Sequence, residues 1–356
     1  MINILIISFL ISFFSMFVII KYTTNFFEFY GINRPQRFHK GSVSRLGGIG
    51  MALCLIFIYI YINFFGNQQY KLPASIIFCI SLAVFIGVLE DVTQKIPVRA
   101  RLLVTHLSAI GICYYLNVSV LRLDIIFLDE CIKIFPLLGF FIAVVAIGGL
   151  PHAFNIIDGY NGLAGVVALV ISAALAYVAY MQQDFQIVIF LMVLIGVTLG
   201  FIIWNYPYGK IFAGDAGAYF WGLCIALACV VLVARYENLS PWFPILLLSY
   251  PLSETFFSIY RKKIRGESPG KADSLHLHQL IFRRWVKAYE EDRDISVRLL
   301  EKNYKTSPYL WLANLLAVIP ALVFRECSLV LMFLGLMYFF AYVYIYISIV
   351  RFRFKF

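Results

Sequence analysis

Residues 214–234 read GDAGAYFWGLCIALACVVLVA, a stretch of 21 residues in which Asp215 is the one charged side chain. An α-helix rises about 1.5 Å per residue, and the hydrocarbon core of a bilayer is roughly 30 Å thick, so about 20 apolar residues cross it. The stretch therefore predicts a membrane-spanning helix that begins with a carboxylate.

Apolar runs of this kind recur along the chain, and ten more fall near 3–20, 45–65, 73–89, 102–118, 135–150, 162–181, 186–204, 242–260, 308–324 and 328–350. The 356 residues are 62% hydrophobic and 13% charged, with a mean hydropathy of +0.87; soluble domains have roughly 45–50% apolar and about 25% charged residues. We predict an all-α, polytopic transmembrane bundle of about eleven helices, ten being the alternative count, in a single integral-membrane domain over residues 1–356. The first run lacks signal-peptide features and is expected to be a retained helix.

The basic residues are spread unevenly over the connections between these runs. If the N-terminus lies outside, 24 of the 29 Lys and Arg residues fall in cytoplasmic connections or the C-terminal tail. Because cytoplasmic loops retain Lys and Arg, this count predicts a cytoplasmic C-terminus and a cytoplasmic basic loop at about 261–307. It also explains the net charge of +10 without nucleic acid as a partner. The seven cysteines form no CxxC pair and are interpreted as packing residues.

Two acidic motifs lie on predicted cytoplasmic connections. Glu90 and Asp91 end the third run, where adjacent carboxylates need water, a cation or a basic partner. Their structural alternative is an interfacial cap paired with Lys95 or Arg99. Asp215 is either a ligand for Mg²⁺, which prefers oxygen ligands, or a plain helix N-cap.

A third motif, residues 154–165, reads FNIIDGYNGLAG. Asn155 and Asp158 are three residues apart, so one helical turn places both on one face, with Asn161 a further three residues along. The neighbouring glycines allow a backbone to approach a ligand closely. An ordinary glycine-rich turn with Asn and Asp as caps is the weaker alternative.

Basic residues, histidines and one intramembrane acid complete the candidate set. His276 and His278 are interpreted as diphosphate contacts rather than a zinc half-site, because no thiol lies nearby. Glu254 lies within the ninth run and is either functional or the structural partner of a histidine or arginine. The remaining basic candidates either bind phosphate or anchor the loops to anionic headgroups; they are Arg34, Arg37, His39, Lys40, Arg45, Lys210 and Arg265.

The order of these motifs over residues 34–284 resembles the polyprenyl-phosphate N-acetylhexosamine-1-phosphate transferase superfamily. The matching segments are Arg45-Leu-Gly-Gly48, Glu90-Asp91 with Arg99, Asn155-x-x-Asp158-Gly-x-x-Gly-Leu163, Gly214-Asp215-x-Gly217, Pro251-x-x-Glu254 and His276-x-His278. The resemblance implies transfer of N-acetylhexosamine 1-phosphate from a UDP-sugar, UDP-GlcNAc first, to undecaprenyl phosphate, with release of UMP. It further implies Mg²⁺, or Mn²⁺ as an alternative, and a cytoplasmic-face site in the bacterial inner membrane; a homodimer stays open.

The same resemblance implies a role for each matching residue. Asp215 is expected to be the principal metal ligand. Glu90 and Asp91 are expected to orient or deprotonate the lipid phosphate, with Asp91 as a second metal ligand. Asp158 and Asn155 are expected to shape the nucleotide and metal site. His276 and His278 are expected to contact the diphosphate; the expected substrate-binding residues are Lys40, Arg45, Asn155, Asn161, Lys210, Glu254 and Arg265.

Three departures from the family pattern help to decide which branch of the superfamily this sequence resembles. Glu90 stands where the family usually has Asp, Asn161 where a second Asp is common, and Gln279 where a further His is common. The last departure favours the branch that starts O-antigen, teichoic-acid or other surface polysaccharides over the MurNAc-pentapeptide branch. Another UDP-N-acetyl(deoxy)hexosamine donor is an alternative within the same chemistry. A transporter is a different-class alternative, disfavoured because the carboxylates lie at loop depth and no repeat is visible.

Overall fold

The structure, a computed structural model, describes residues 1–23, 43–66, 70–71, 73–268, 270, 273, 275–287 and 294–351. These described residues form fourteen helices and no β-sheet: α1 (Ile2–Thr23), α2 (Gly47–Phe65), α3 (Ala74–Thr93), α4 (Val98–Leu116), α5 (Ile126–Ile134), α6 (Pro136–Ile157), α7 (Leu163–Met181), α8 (Phe185–Asn205), α9 (Gly214–Arg235), α10 (Trp242–Leu247), α11 (Ser249–Ile264), α12 (Leu277–Arg284), α13 (Ile295–Val323) and α14 (Ser328–Val350). The all-α class is confirmed.

All eleven predicted apolar runs fall on helices. Nine of the helices in the described residues are long and apolar enough to cross a membrane, which confirms a polytopic membrane protein. The other two runs deviate. Helix α4 contains Arg99, Arg101 and His106 and is less apolar, and the ninth run is divided at Leu248 into α10 and α11. The short helices α5 and α12 were not predicted.

Helix α9 lies at the centre of the bundle, and 94% of its 18-residue apolar stretch is buried. Glycines bring its neighbours into backbone contact with it. A Cβ added at Gly48 of α2 would lie 2.5 Å from the carbonyl carbon of Ala216, and one at Gly87 of α3 would lie 2.6 Å from the Ala216 Cα. Small residues allow such close approach between membrane helices. The two contacts fix α2 and α3 against the first turn of α9.

The region predicted as one basic loop at about 261–307 is largely helical. Helix α11 continues to Ile264, α12 follows, and α13 begins at Ile295, thirteen residues before the predicted apolar run at 308. The side chain of Asp294 accepts a hydrogen bond from the Ser296 N–H and so caps α13. Polar helix formers occupy these first turns, and a search for apolar runs misses such a start.

The helices run alternately up and down, so their connections collect at two ends. We call these the Asp215 end, where α9 begins, and the Arg235 end, where α9 ends. At the Asp215 end, Ser44 and Ile211 form an isolated parallel bridge, and the Phe212 N–H donates to the Ser44 carbonyl at 2.8 Å. The Gly47 N–H returns a hydrogen bond to the Phe212 carbonyl at 3.1 Å. This bridge ties the residues before α2 to those before α9.

Candidate active site

Asp91 holds the N-terminus of α9. Its Oδ1 accepts the backbone N–H of Asp215 at 2.9 Å and its Oδ2 accepts that of Ala216 at 3.0 Å. The first N–H groups of a helix have no intrahelical acceptor, so a carboxylate from α3 satisfies two of them. Gly214 has φ +70°, and a Cβ there would overlap the Asp91 carboxylate. Asp91 therefore fixes the position of Asp215 through the backbone.

Asp215 lies between two arginines. Its Oδ2 accepts a hydrogen bond from Arg101 of α4, and its Oδ1 lies 3.9 Å from the Arg45 Nη2. The Tyr219 hydroxyl, one turn further along α9, donates to the Asp215 Oδ2 at 3.4 Å. Arg45 also approaches the Asp91 Oδ1, with its Nε at 3.5 Å. The two carboxylates and two guanidinium groups form one mostly buried cluster, which we call the aspartate–arginine cluster.

Asp158 joins this cluster from the end of α6. It is partly buried, and its pKa is raised to about 7, chiefly by burial and also by the nearby Asp215 charge, although Arg45 lowers it. Within the described residues its carboxylate has no hydrogen-bond partner. The structure thus brings Asp91, Asp158, Asp215 and Arg45 together, and their predicted roles stay predictions.

Glu90 makes a different contact from its neighbour Asp91. Its Oε2 accepts the Ile96 N–H at 2.9 Å, which closes the turn between α3 and α4. Lys95 and Arg99, the basic residues proposed as partners of the acidic pair, are exposed. The basic partner in the cluster is Arg101, one helical turn into α4. The predicted catalytic role of Glu90 stays a prediction.

The two histidines are buried beside the turn that follows α6. Their rings stack with centroids 5.3 Å apart and planes 9° from parallel. The Nδ1 of His276 lies 2.9 Å from the Glu254 Oε1. His278 packs against Gly159, where an added Cβ would lie 2.8 Å from its Nε2, and burial lowers the pKa of His278 to about 3. His278 is therefore neutral near pH 7.

Asn161 ties three connections together. Its backbone N–H donates to the Asn303 Oδ1 at 2.8 Å and its Nδ2 donates to the Pro207 carbonyl at 2.8 Å. Beside it, the Gly162 N–H donates to the Asn205 Oδ1 at 2.6 Å. These contacts hold the turn after α6 against the segment between α8 and α9 and against α13. A substrate-binding role for Asn161 stays a prediction.

The other predicted site residues are more dispersed. Asn155 lies partly buried in the last turn of α6, one turn before Asp158. Lys210 is exposed, with its Nζ 5.5 Å from the centre of the Trp204 ring. Arg265 is exposed just after α11. Lys40, with Arg34, Arg37 and His39, lies outside the described residues.

Two carboxylates of the cluster suit Mg²⁺ held partly by substrate. In the described ranges no group of three His, Cys, Asp or Glu side chains could hold a metal ion by itself. Mg²⁺ needs less, since it is commonly bound by one or two carboxylates together with water and substrate phosphates. Asp158 has a partly exposed carboxylate near Asp215, and a cation held by both would offset the cost of ionising both. Asp91 has both oxygens occupied by backbone N–H groups.

Sequence reasoning missed three residues that build the site. Arg101 and Tyr219 contact Asp215, and Asn303 anchors the turn at Asn161. Tyr219 could have been predicted, because it lies four residues after Asp215 on a predicted helix and therefore on the same helix face as Asp215. Arg101 and Asn303 had none, because their partners are more than a hundred residues away in the chain.

Residues 73–233, from the residue before α3 almost to the end of α9, match the sequence profile described as Glycosyl transferase family 4. This match confirms the family resemblance predicted from the motifs. It covers Asp91, Arg101, Asp158 and Asp215 and ends before Glu254 and the histidines. The fold is that of a polytopic membrane protein, and over residues 73–233 the chain is similar to the glycosyl transferases of family 4.

Curated relatives extend the similarity beyond that segment. The chain is 26% identical over 263 residues to the undecaprenyl-phosphate alpha-N-acetylglucosaminyl 1-phosphate transferase of Escherichia coli O157:H7, covering 71% of this chain and 69% of that protein. The protein of the same name from Yersinia pestis is 27% identical over 261 residues, with the same coverage. A probable undecaprenyl-phosphate N-acetylglucosaminyl 1-phosphate transferase of Bacillus subtilis strain 168 is 25% identical over 250 residues, covering 68% of this chain and 66% of that protein.

Proposed function

We propose that this protein transfers N-acetylhexosamine 1-phosphate from a UDP-sugar, UDP-GlcNAc first, to undecaprenyl phosphate and releases UMP. The observation that supports this most directly is the aspartate–arginine cluster at the first turn of α9, with the partly exposed Asp158 carboxylate beside it. Relatives named for this activity support the same substrates. The product would be a lipid-linked sugar that starts a surface polysaccharide.

The chemistry is attack by an oxygen of the lipid phosphate on the β-phosphorus of the nucleotide sugar. An O–P bond forms to the lipid phosphate, the bond to the bridging oxygen of the diphosphate breaks, and UMP leaves with that electron pair. The lipid phosphate is largely ionised near pH 7, so no strong base is required. Negative charge on the transferring group must be stabilised by groups fixed before the reaction.

The chain's own residues supply that stabilisation in two ways. Arg45 and Arg101 are held by carboxylates at a partly accessible position, and their guanidinium groups would bind phosphate oxygens. Asp91 would keep Asp215 in place by holding the backbone of α9. Asp215 and Asp158 would hold Mg²⁺, and when bound the ion would neutralise charge on the diphosphate. Mn²⁺ accepts the same oxygen ligands.

The orientation follows from the charge distribution. The connections at the Asp215 end contain most of the basic residues of the chain. We place this end in the cytoplasm of a bacterium, with the bundle in the inner membrane, because basic loops stay on the cytoplasmic side. UDP-sugars would then reach the cluster from the cytoplasm, and undecaprenyl phosphate from the bilayer.

The test is transfer of radiolabel from UDP-sugars to undecaprenyl phosphate in membranes that contain the protein. A panel of UDP-GlcNAc, UDP-GalNAc and 6-deoxy-N-acetylhexosamine donors is assayed with Mg²⁺ and with excess EDTA. We expect a labelled lipid with at least one donor, UDP-GlcNAc first, and its loss in EDTA. Absence of lipid product with every donor would refute the proposed activity, and EDTA-resistant transfer would refute the metal role.

A further inference from the structure

Glu254 is completely buried although it was predicted to bind substrate. It lies in α11 with a relative accessibility of 0%. Its Oε1 accepts the Leu277 N–H, the first of α12, at 3.1 Å and lies 2.9 Å from the His276 Nδ1. Its Oε2 is also enclosed, without a hydrogen-bond partner. A substrate atom cannot reach this carboxylate without a rearrangement of the helices.

The contact with Glu254 selects one tautomer of His276. An ionised carboxylate has no proton to give, so the His276 Nδ1 must be the donor. In a neutral imidazole the Nε2 is then the acceptor, because the partner of one ring nitrogen sets the state of the other. No side chain of the described residues bonds to the Nε2, and the Gln279 backbone N–H faces the ring in a capping box. His276 therefore keeps one nitrogen for another group.

The ring is also held against rotation and against displacement. His278 stacks on it in near-parallel orientation. The backbone N–H of His276 donates to the Gln279 Oε1 at 3.0 Å, so Gln279, at a position where a further histidine is common, closes the start of α12. His278 in turn touches Gly159, the residue next to Asp158. The fixed imidazole thus stands beside the turn that brings Asp158 to the cluster.

We propose that Glu254 is a positioning residue, which acts on the transfer reaction only through His276 by fixing its Nδ1–H tautomer and ring orientation. The proposal rests on the proposed function for the identity of the reaction. It replaces the substrate-binding role predicted for Glu254. His276 would present its acceptor Nε2 to an O–H or N–H group of the sugar nucleotide, while Glu254 would contact no substrate atom.

The kinetic test is Glu254→Gln, which keeps the shape of the side chain and removes the charge. A neutral amide holds the Nδ1–H less strongly and can present an N–H instead, so part of the protein adopts the wrong tautomer. We expect kcat to fall roughly 10- to 100-fold, with KM for the UDP-sugar changed by less than about threefold. Glu254→Asp, which restores the charge, should recover part of kcat. A rise in KM with kcat unchanged would overturn the proposal in favour of direct substrate binding.

A double-mutant cycle separates a path through His276 from any other path. If Glu254 acts only through His276, Glu254→Gln should lower kcat by less than about twofold in a His276→Ala background. Full additivity of the two losses would overturn the proposal. Tyr342→Phe is the matched control, because it removes a buried hydroxyl close to Glu254 and leaves the Glu254–His276 contact intact. Its kcat should stay within about twofold of the wild-type value.

A spectroscopic measurement does not depend on the substrate. In ¹⁵N-histidine-labelled protein in detergent, the His276 signals, assigned by their loss in His276→Ala, should show a protonated Nδ1 and an unprotonated Nε2. Glu254→Gln should move the two shifts towards each other. An unprotonated Nδ1 in the wild type would refute the positioning role even if transfer is observed. The expected tautomer without any transfer would instead refute only the proposed function.

Discussion

Two aspartates at opposite ends of the bundle stand at helix starts and pair with an arginine from another helix. Asp184 precedes α8 at the Arg235 end, and Asp215 lies in the first turn of α9 at the Asp215 end. Both carboxylate oxygens of Asp184 have partners within the protein. Its Oδ1 accepts the Ile187 N–H at 3.2 Å, and its Oδ2 binds the Arg235 Nη1 at 2.8 Å. It is an N-cap with a salt bridge.

Asp215 also lies at a helix start, in the first turn rather than at the N-cap, and has a different task. The backbone N–H groups of Asp215 and Ala216 are bound by Asp91 from α3. Its own carboxylate is left for Arg101, Arg45 and Tyr219. A second carboxylate that caps the helix therefore distinguishes a site aspartate from a structural one. This distinction requires tertiary contacts and cannot be read from the helix alone.

The surroundings of the two aspartates differ in the same sense. Two other ion pairs at the Arg235 end join neighbours in sequence, Arg122 with Asp124 and Lys133 with Glu130. At the Asp215 end, two carboxylates converge on Arg101 of α4 and on Arg45, which precedes α2. The Asp158 carboxylate lies near them without a hydrogen-bond partner in the described residues. An ion pair between sequence neighbours stabilises a loop. Several charged groups gathered from distant parts of the chain are typical of sites that bind an ion or a charged substrate.

The largest expected effect is the contrast between Asp215→Asn and Asp184→Asn. Asp215→Asn removes a proposed metal ligand and the charge that holds Arg101, while Asp91 still caps α9. We expect kcat to fall by roughly a thousandfold, as when a group that stabilises transition-state charge is removed, with the protein still folded. Radiolabel transfer measures turnover, and thermal melting in detergent measures the folded state.

Asp184→Asn is the matched control for that comparison. Asparagine is as good an N-cap as aspartate, so only the salt bridge with Arg235 is lost. We expect a fall in melting temperature and a kcat within about twofold of the wild-type value. Equal losses of activity in the two variants would mean that both aspartates are structural.

A smaller effect is expected from the glycine contacts that bring α2 to α9. In Gly48→Ala the new Cβ meets backbone atoms of Ala216, which cannot rotate away. Overpacking of this kind costs about 1–3 kcal/mol. We expect lower thermal stability, and lower kcat because Arg45 precedes α2 and shifts with it. Melting curves and transfer rates in the same detergent measure the two quantities.

Gly335→Ala in α14 is the control for this variant, because nothing lies within 4 Å of its added Cβ. Alanine is favoured over glycine in a helix by up to roughly 1 kcal/mol, so stability should be equal or slightly higher. If Gly48→Ala behaved like Gly335→Ala, close contact between α2 and α9 would not be needed at the Asp215 end.

Much of the fold could be predicted because hydrophobicity is a local property. Each apolar run became a helix, and the placement of Asp215 at a helix start was correct. The start of α13 was wrong, since residues 295–307 are polar yet helical. The division of the ninth run at Leu248 was also missed, because it is not marked by a loss of apolarity.

The site was predicted as a set of residues and not as a set of contacts. The motifs predicted that Asp91, Asp158 and Asp215 lie at one end of the bundle. They did not reveal that Asp91 caps a helix 124 positions away, or that Arg101 rather than Arg99 faces the cluster. Which arginine faces the cluster depends on the rotation of α4 about its own axis relative to α9, and helix packing sets this rotation.

The smallest expected effect is a pH-dependent gain of stability in Asp158→Asn. Burial raises the pKa of Asp158 from 3.8 to about 7 in the folded protein. Between these values the unfolded chain has lost the proton that the folded chain keeps, so rising pH destabilises the wild type. The variant has no such group. In EDTA, its advantage in melting temperature should be absent near pH 4, grow up to about pH 7 and stay constant above, reaching roughly 2–4 °C.

Mg²⁺ at pH 8 should then raise the melting temperature of the wild type more than that of Asp158→Asn. An advantage that does not change with pH would show that Asp158 titrates normally, and that its place beside Asp215 resembles the balanced Asp184 pair.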